Sequence, residues 1–262
     1  MKKVLMVLAL IGLIIFLFAG CNITTPSGSD DVEDEGGTES TQRVVMVELF
    51  VAPTCSRCPT AKEYLAKLLD EYGFDKLVVL EEYGWDYGQY TGWATSETIK
   101  RFFEYVNYSG SDGGTPDTYF NGLNQRIGHD NYSYYRYKKA IMDELDKPLK
   151  VAISVNYEVD GLTVNIEGSI KNISSGNLND IVVGAMVYED SVPLGATVAN
   201  HVVRDIITSD LIDSFSKGES LSFSLESKIL NNVKDMNNIH VVVYVQAPNS
   251  STKEILQALY VE

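Results

Sequence analysis

The stretch from Val45 to Pro59, VMVELFVAPTCSRCP, constrains the chain most, because it predicts a strand, a short loop and a helix in direct succession. Apolar and β-branched residues fill most of its first half, which is typical of a buried strand. After Pro59, apolar residues recur at helical spacing in AKEYLAKLLDEYG, which predicts an amphipathic helix. Cys55 and Cys58 therefore stand at the mouth of a helix.

This position favours redox chemistry at the cysteine pair. A helix N-terminus presents free backbone N–H groups and a partial positive charge, and both stabilise a thiolate relative to a thiol. The two-residue spacer brings the sulfurs close enough for one disulfide. We expect Cys55 to be the exposed, attacking sulfur and Cys58 to be the resolving one. Arg57, inside the spacer, carries a fixed positive charge that also favours the Cys55 thiolate.

Two other interpretations of the pair stay open. A CxxC pair can be half of a zinc site, but zinc needs about four ligands. Outside the pair the chain offers only Cys21 and three dispersed histidines, His129, His201 and His240. We therefore expect no metal and no cofactor. The pair could instead form an inert structural disulfide that clamps a loop to a helix.

A second element is the segment GGTPDTYFNG at 113–122, in which a Thr-Pro bond precedes a short strand. Proline is tolerated at the first residue of a strand, and a cis X–Pro bond usually lies in a tight turn. The CxxC pair at a helix start and this segment together resemble the thioredoxin superfamily.

That resemblance implies a role for each matching residue. Cys55 and Cys58 would be the redox pair. Thr115 and Pro116 would form a cis-proline loop that lies against the disulfide and helps to bind the substrate chain. Glu48 would be the acidic residue of the first core strand that accepts a proton from Cys58.

Residues 1–21 are interpreted as a targeting segment. Two lysines precede an apolar run from Val4 to Phe18, which is short for a spanning helix of about 20 residues. The following Phe-Ala-Gly-Cys resembles a bacterial lipobox, so we expect a mature chain that begins at a lipidated Cys21. An ordinary cleaved secretory peptide and an uncleaved anchor are the alternatives. In each case the rest of the chain lies outside the cytoplasm.

Residues 22–42 combine Pro, Gly, Ser and Thr with the acidic run SDDVEDEGGTES. Such a composition cannot bury enough apolar surface to order itself, so we predict a disordered acidic tether. The whole chain has a formal charge of −15. This balance argues against nucleic-acid binding and leaves the lipid anchor as the contact with the membrane.

Two domains are predicted after the tether. Residues 43–147 read β-α-β-α-β-β-α, which is the order of a complete α/β thioredoxin-like domain. From 148 to 262 the pattern changes to alternating strands between Asp-Gly, Ser-Gly-Asn and Pro-Asn-Ser turns, which predicts an all-β sandwich of immunoglobulin-like type. A polar cluster around His201 and Arg204 stands between two of these strands, where a structural histidine is the simpler interpretation.

The combined pattern resembles the thioredoxin-like outer-membrane lipoprotein family of bacteria. It implies a thiol–disulfide oxidoreductase anchored in the cell envelope, with protein thiols and disulfides as substrates and a redox protein as partner. The alternative is a non-enzymatic binding or scaffold lipoprotein in which the disulfide is structural.

Overall fold

The structure, a computed structural model, describes residues 38–86, 91–109, 113–126, 128 and 130–261. The predicted signal peptide with Cys21 lies outside these residues, as do His129 and the predicted tether up to residue 37. Within the described residues the chain forms three α-helices, fifteen strands and one 3₁₀ turn. Among these helices none is long and apolar enough to cross a membrane.

The helices are α1 (Cys58–Tyr72), α2 (Ser96–Ser109) and α3 (Ser133–Leu145), and the 3₁₀ turn is Met236–Asn238. The strands before α3 are β1 (Thr38–Glu39), β2 (Val45–Val51), β3 (Leu77–Tyr83), β4 (Asp117–Phe120) and β5 (Asn124–Gln125). Those after α3 are β6 (Val151–Asp160), β7 (Thr163–Asn172), β8 (Leu178–Glu189), β9 (Val192–Leu194), β10 (Thr197–Ala199), β11 (Val202–Thr208), β12 (Ile212–Phe215), β13 (Ser220–Glu226), β14 (Ile239–Gln246) and β15 (Ile255–Val261).

The first half of the chain forms its elements close to where the sequence predicts them. β2 and β3 run parallel, and β4 pairs antiparallel with the other edge of β2. Every residue of β2 is buried, because α1 and α3 cover one of its faces and α2 covers part of the other. Asp130 accepts from the Tyr132 N–H in the turn before α3, which begins at Ser133.

The second half contributes to three sheets. β1, β6, β7 and β13 form one sheet, and β9 and β10 form a separate hairpin. β8, β11, β12, β14 and β15 belong to the nine-stranded sheet that also contains β2 to β5, with β12 paired to β8. In that sheet β11 lies between β8 and β3, and its contact with β3 is the parallel pair Val202–Glu81.

The predicted fold class, an α/β thioredoxin-like domain followed by an all-β immunoglobulin-like sandwich, is therefore wrong. One sheet runs through both halves, and one apolar cluster draws Met46 and Leu80 from the first half and Met186 and Tyr244 from the second. Alternation identifies strands with a buried face, but it does not say which strand fills the free edge of β3. The division of the chain at residues 147 and 148 stays a prediction about folding units.

We expect Gly122→Ala to destabilise the fold by about 2–4 kcal/mol, because a left-handed backbone and a backbone collision add up there. Gly122 has φ +101°, and a Cβ would lie 2.4 Å from the Lys253 carbonyl oxygen. Gly161→Ala is the control, since Gly161 also has positive φ, +60°, but no atom lies within 4 Å of its added Cβ. It should cost only about 1–2 kcal/mol. Urea unfolding measures the free energy of unfolding of both variants, and equal losses of stability would contradict the collision at Gly122.

Candidate functional site

The predicted cysteine pair forms a disulfide. Cys55 and Cys58 are bonded, with their Cα atoms 5.4 Å apart. The Cys55 side chain is half-buried, whereas Cys58 is only 2% exposed and packs in the apolar cluster under α1. The sulfur within reach of another molecule is therefore that of Cys55, as predicted.

The start of α1 sets the environment of this sulfur. The helix begins at Cys58, Pro59 occupies its first turn, and the Cys58 N–H donates to Cys55 Sγ at 3.0 Å. The Cys55 N–H closes the preceding turn on the Ala52 carbonyl at 3.1 Å. Because a helix N-terminus carries a partial positive charge, this arrangement stabilises a thiolate at Cys55 after reduction.

Arg57 occupies the N-cap position of α1 and its side chain is exposed. It makes no ion pair with any acidic group in the described part of the chain. Its side chain is therefore open to solvent at the start of the helix that carries Cys58.

The Thr115–Pro116 bond is cis, as the sequence predicts. Asp117, the next residue, pairs with Phe50, so Pro116 lies level with the end of β2, from which the chain runs to Cys55. Pro116 is buried and Thr115 is half-buried. The register thus brings this segment to the same end of the strands as the disulfide.

Glu48 is not brought to the disulfide. Its neighbour Val47 packs in the cluster that contains Cys58, whereas Glu48 lies on the opposite face of β2. There its carboxylate accepts from the Arg101 guanidinium and, at 2.7 Å, from the Tyr105 hydroxyl. The side chain is completely buried in an ion pair with Arg101 of α2, on the face of β2 opposite to the one that packs with α1.

Glu82 is a second buried carboxyl on this face. No donor in the described part of the chain reaches either of its oxygens. Burial raises its pKa well above the usual range, the charge of Glu48 raises it further, and Arg101 opposes both. Burial and the neighbouring charge of Glu48 therefore both favour the protonated form of Glu82.

The acidic group on the disulfide's own face is Glu81, which sequence reasoning did not single out. Lys62, one turn after Cys58 on α1, bonds Glu81 at 2.6 Å and the Tyr83 hydroxyl at 3.0 Å. Burial raises the pKa of Glu81 and the Lys62 ammonium lowers it, with burial the larger effect. The sequence does indicate such a residue. Glu81 and Glu82 are consecutive near the end of an apolar strand, and because side chains alternate along a strand, the two must face opposite sides of the sheet.

The two residues of the predicted polar cluster have different partners: His201 lies beside Asp190, whereas Arg204 pairs with Glu189. Asp190 accepts from the His201 backbone N–H at 2.6 Å and lies within 3.8 Å of the imidazoles of His201 and His240. Burial lowers the pKa of His201, and Asp190 opposes this. Among the described residues no three His, Cys, Asp or Glu side chains are placed to hold a metal ion.

The described residues thus form a mostly β structure with three helices, a nine-stranded sheet shared by both halves, and a disulfide at the start of one helix. Residues 46–246 match the family DUF1223, described as proteins of unknown function. The chain therefore belongs to the DUF1223 family. No curated protein matches the sequence.

Two solved structures share most of this fold. Protein AGR_C_4864 from Agrobacterium tumefaciens is 25% identical, with 84% of this chain and 95% of that chain covered and a TM-score of 0.56. HBP35 of Porphyromonas gingivalis is 18% identical, with 83% and 74% covered and a TM-score of 0.62. A domain of the outer membrane lipoprotein Omp28 from Porphyromonas gingivalis is 18% identical over 43% of this chain and 94% of that one, with a TM-score of 0.31.

These matches overturn the assignment to the thioredoxin superfamily and to the thioredoxin-like outer-membrane lipoprotein family. The residues behind that assignment, the CxxC pair and the Thr-Pro segment, are real features of this site. They are short, however, and they occur here within a family and a sheet that extend over both halves of the chain.

We expect Glu82→Gln to stabilise the protein increasingly as pH rises from about 4.5. Above the unfolded pKa the folded chain holds a proton that the unfolded chain releases, so wild-type stability falls, by up to about 1.4 kcal/mol per pH unit. Below that pH both states are protonated and the two proteins should be alike. Urea unfolding at pH 4, 6 and 8 measures the difference. Glu167→Gln, at an exposed position of β7, is the control, and a pH-independent difference would contradict a neutral Glu82.

Proposed function

We propose that this protein is an extracytoplasmic thiol–disulfide oxidoreductase that exchanges disulfides with other proteins through Cys55 and Cys58. The observation that carries the proposal is the asymmetry of the pair. Cys55 is half-buried and its sulfur accepts the Cys58 N–H at the helix N-terminus, whereas Cys58 is buried. A nucleophile that is reachable and a resolving thiol that is shielded are the two parts that exchange requires.

In the reducing direction, the Cys55 thiolate attacks one sulfur of a substrate disulfide. A bond forms between Cys55 and that sulfur, and the other substrate sulfur leaves as a thiolate. Cys58 then loses its proton and attacks Cys55, so the first substrate sulfur also leaves and the Cys55–Cys58 disulfide forms. Two electrons pass to the substrate, and a dithiol partner protein must return them; the same steps reversed oxidise a substrate.

Three neighbouring groups support this chemistry. Arg57 adds a positive charge on the approach side of Cys55. Thr115 and Pro116, at the same end of the strands, offer a surface for the substrate chain. Glu81, with its raised pKa and its bond to Lys62, is the buried acid on the face that holds Cys58, and we assign to it the proton that Cys58 releases.

Trapping tests the proposal. Reduced Cys58→Ser, mixed with a disulfide-bonded protein, should accumulate a mixed disulfide through Cys55, because no thiol remains to resolve it. The expected readout is a band of summed mass on a non-reducing gel that dithiothreitol removes. Cys55→Ser is the matched control and should give far less product, since Cys58 is buried.

Equal trapping by the two variants, or none by either, would contradict exchange through Cys55. A reduction potential below about −300 mV together with no trapping would instead identify a structural disulfide and favour the scaffold interpretation. A potential between about −270 and −120 mV is the expected result.

The location proposed is the outer face of a bacterial membrane, through lipid on Cys21. Cys21→Ala should move the protein from the membrane fraction to the soluble envelope fraction, because several acyl chains contribute about 0.8 kcal/mol per buried methylene and the variant lacks them. Fractionation followed by immunoblotting measures this. Membrane association of the variant that survives a high-salt wash would contradict the anchor.

A further inference from the structure

A cavity of about 550 Å³ opens where the β4–β5 turn, the end of α3 and the β14–β15 turn meet. Its walls include Asn121 from the β4–β5 turn, Asn124 at the start of β5, Glu144 in the last turn of α3, Lys147 just after that helix, and Glu254. Asn121 accepts from the Met46 N–H, so the cavity lies beside the start of β2, whereas the disulfide follows its end. The volume is within the range of small-molecule sites, about 300–1,000 Å³.

The charges at this cavity alternate. Lys147 bonds Glu144 at 2.7 Å, and Lys150 bonds both oxygens of Glu254, at 2.9 and 3.0 Å. Behind them the buried Arg43 contacts both carboxylates, at 3.4 Å from Glu144 and 3.8 Å from Glu254. Three cationic side chains thus meet two carboxylates, which leaves one positive charge in excess. The chain as a whole carries −15, so this excess runs against its overall charge.

The ammonium groups of Lys147 and Lys150 can donate further hydrogen bonds. Each ammonium has three N–H groups, and the Lys147 and Lys150 side chains are 44% and 30% exposed. Arg43 is already committed, since four of its five N–H donors bond the Glu144 carboxylate and the backbone carbonyls of Glu144, Ile255 and Leu256. Incoming negative charge would therefore be met by the lysines, with Arg43 fixing the two carboxylates behind them.

The walls themselves are held rigidly. The Leu123 N–H donates to the Thr252 carbonyl at 2.7 Å, and the Ile255 N–H donates to the Asn121 carbonyl at 3.2 Å. Gly122 lets the two turns approach so closely that no Cβ fits between them. The cavity is therefore a preformed space between fixed turns, which reduces the entropy that a ligand must lose on binding.

We propose that this cavity binds a small organic acid, whose carboxylate is held by Lys147 and Lys150 and whose remaining atoms occupy the space beside Asn124. A bound carboxylate offsets this excess positive charge. A volume of about 550 Å³ is far larger than a single inorganic ion needs, which favours an organic molecule. The site is separate from the disulfide and does not depend on the redox proposal.

Succinate is the probe, and its neutral diamide, succinamide, is the matched ligand control. Isothermal titration of the folded protein at low ionic strength should give saturable binding of succinate and none of the diamide. Lys150→Gln and Lys147→Gln should each weaken succinate binding at least tenfold. Lys139→Gln removes the same charge from the outer face of α3, where it pairs with Asp143, and should leave the affinity within twofold.

A substitution that removes a negative charge, and should therefore tighten binding, distinguishes a binding role from a structural effect. Glu254→Gln releases Lys150 and raises the excess charge, so it should tighten succinate binding several-fold, whereas Glu63→Gln on the exposed face of α1 should not. The proposal is overturned if succinate does not bind saturably, if Lys139→Gln weakens it as much as Lys150→Gln, or if Glu254→Gln weakens it. It is also overturned if succinamide or inorganic phosphate binds as tightly as succinate.

Discussion

The junction of β3 with β11 is the contact on which the rest of the architecture depends. Val202 pairs with Glu81, and the Glu81 N–H donates to the His201 carbonyl at 2.8 Å. Through this short parallel contact the strands of the first half continue into the long strands of the second. Apolar clusters cover both faces of the joined sheet at this junction. Burial on each side therefore stabilises a strand contact that a single residue pair could not hold together by its hydrogen bonds alone.

Three buried guanidinium groups reinforce the same junction. Arg43 reaches the backbone of β15, Arg101 of α2 reaches Gln246 at the end of β14, and Arg204 of β11 reaches the Gly92 carbonyl at 3.2 Å. Each also has a buried carboxylate partner, which for Arg204 is Glu189 at 2.8 Å. A buried ion pair adds little stability over an apolar replacement, but a lone buried charge is costly. These groups therefore fix which surfaces may meet, because any other arrangement would leave an arginine or a glutamate unpaired.

The sequence predicts the features that depend on residues close together in the chain. The strand, the CxxC turn and α1 follow from local pattern, as do the disulfide and the exposure of Cys55. Glu48 shows an error that the same pattern could have prevented. Val47 and its alternate neighbours face α1, so strict alternation already places Glu48 on the other side, next to α2.

The joining of the halves could not be predicted in this way, since β3 and β11 are more than a hundred residues apart and their alternation would fit several partners. The same applies to the cavity, whose walls come from three separate segments.

β2 sets the distance between the cavity at its start and the disulfide loop after its end. Its seven residues extend over roughly 20 Å between the cavity and the disulfide loop. That distance exceeds the Debye length of about 8 Å at physiological salt, so the charge of a ligand in the cavity would be largely screened at Cys55. Any influence of one site on the other would therefore have to pass through movement of β2, which is buried on both faces and paired on both edges.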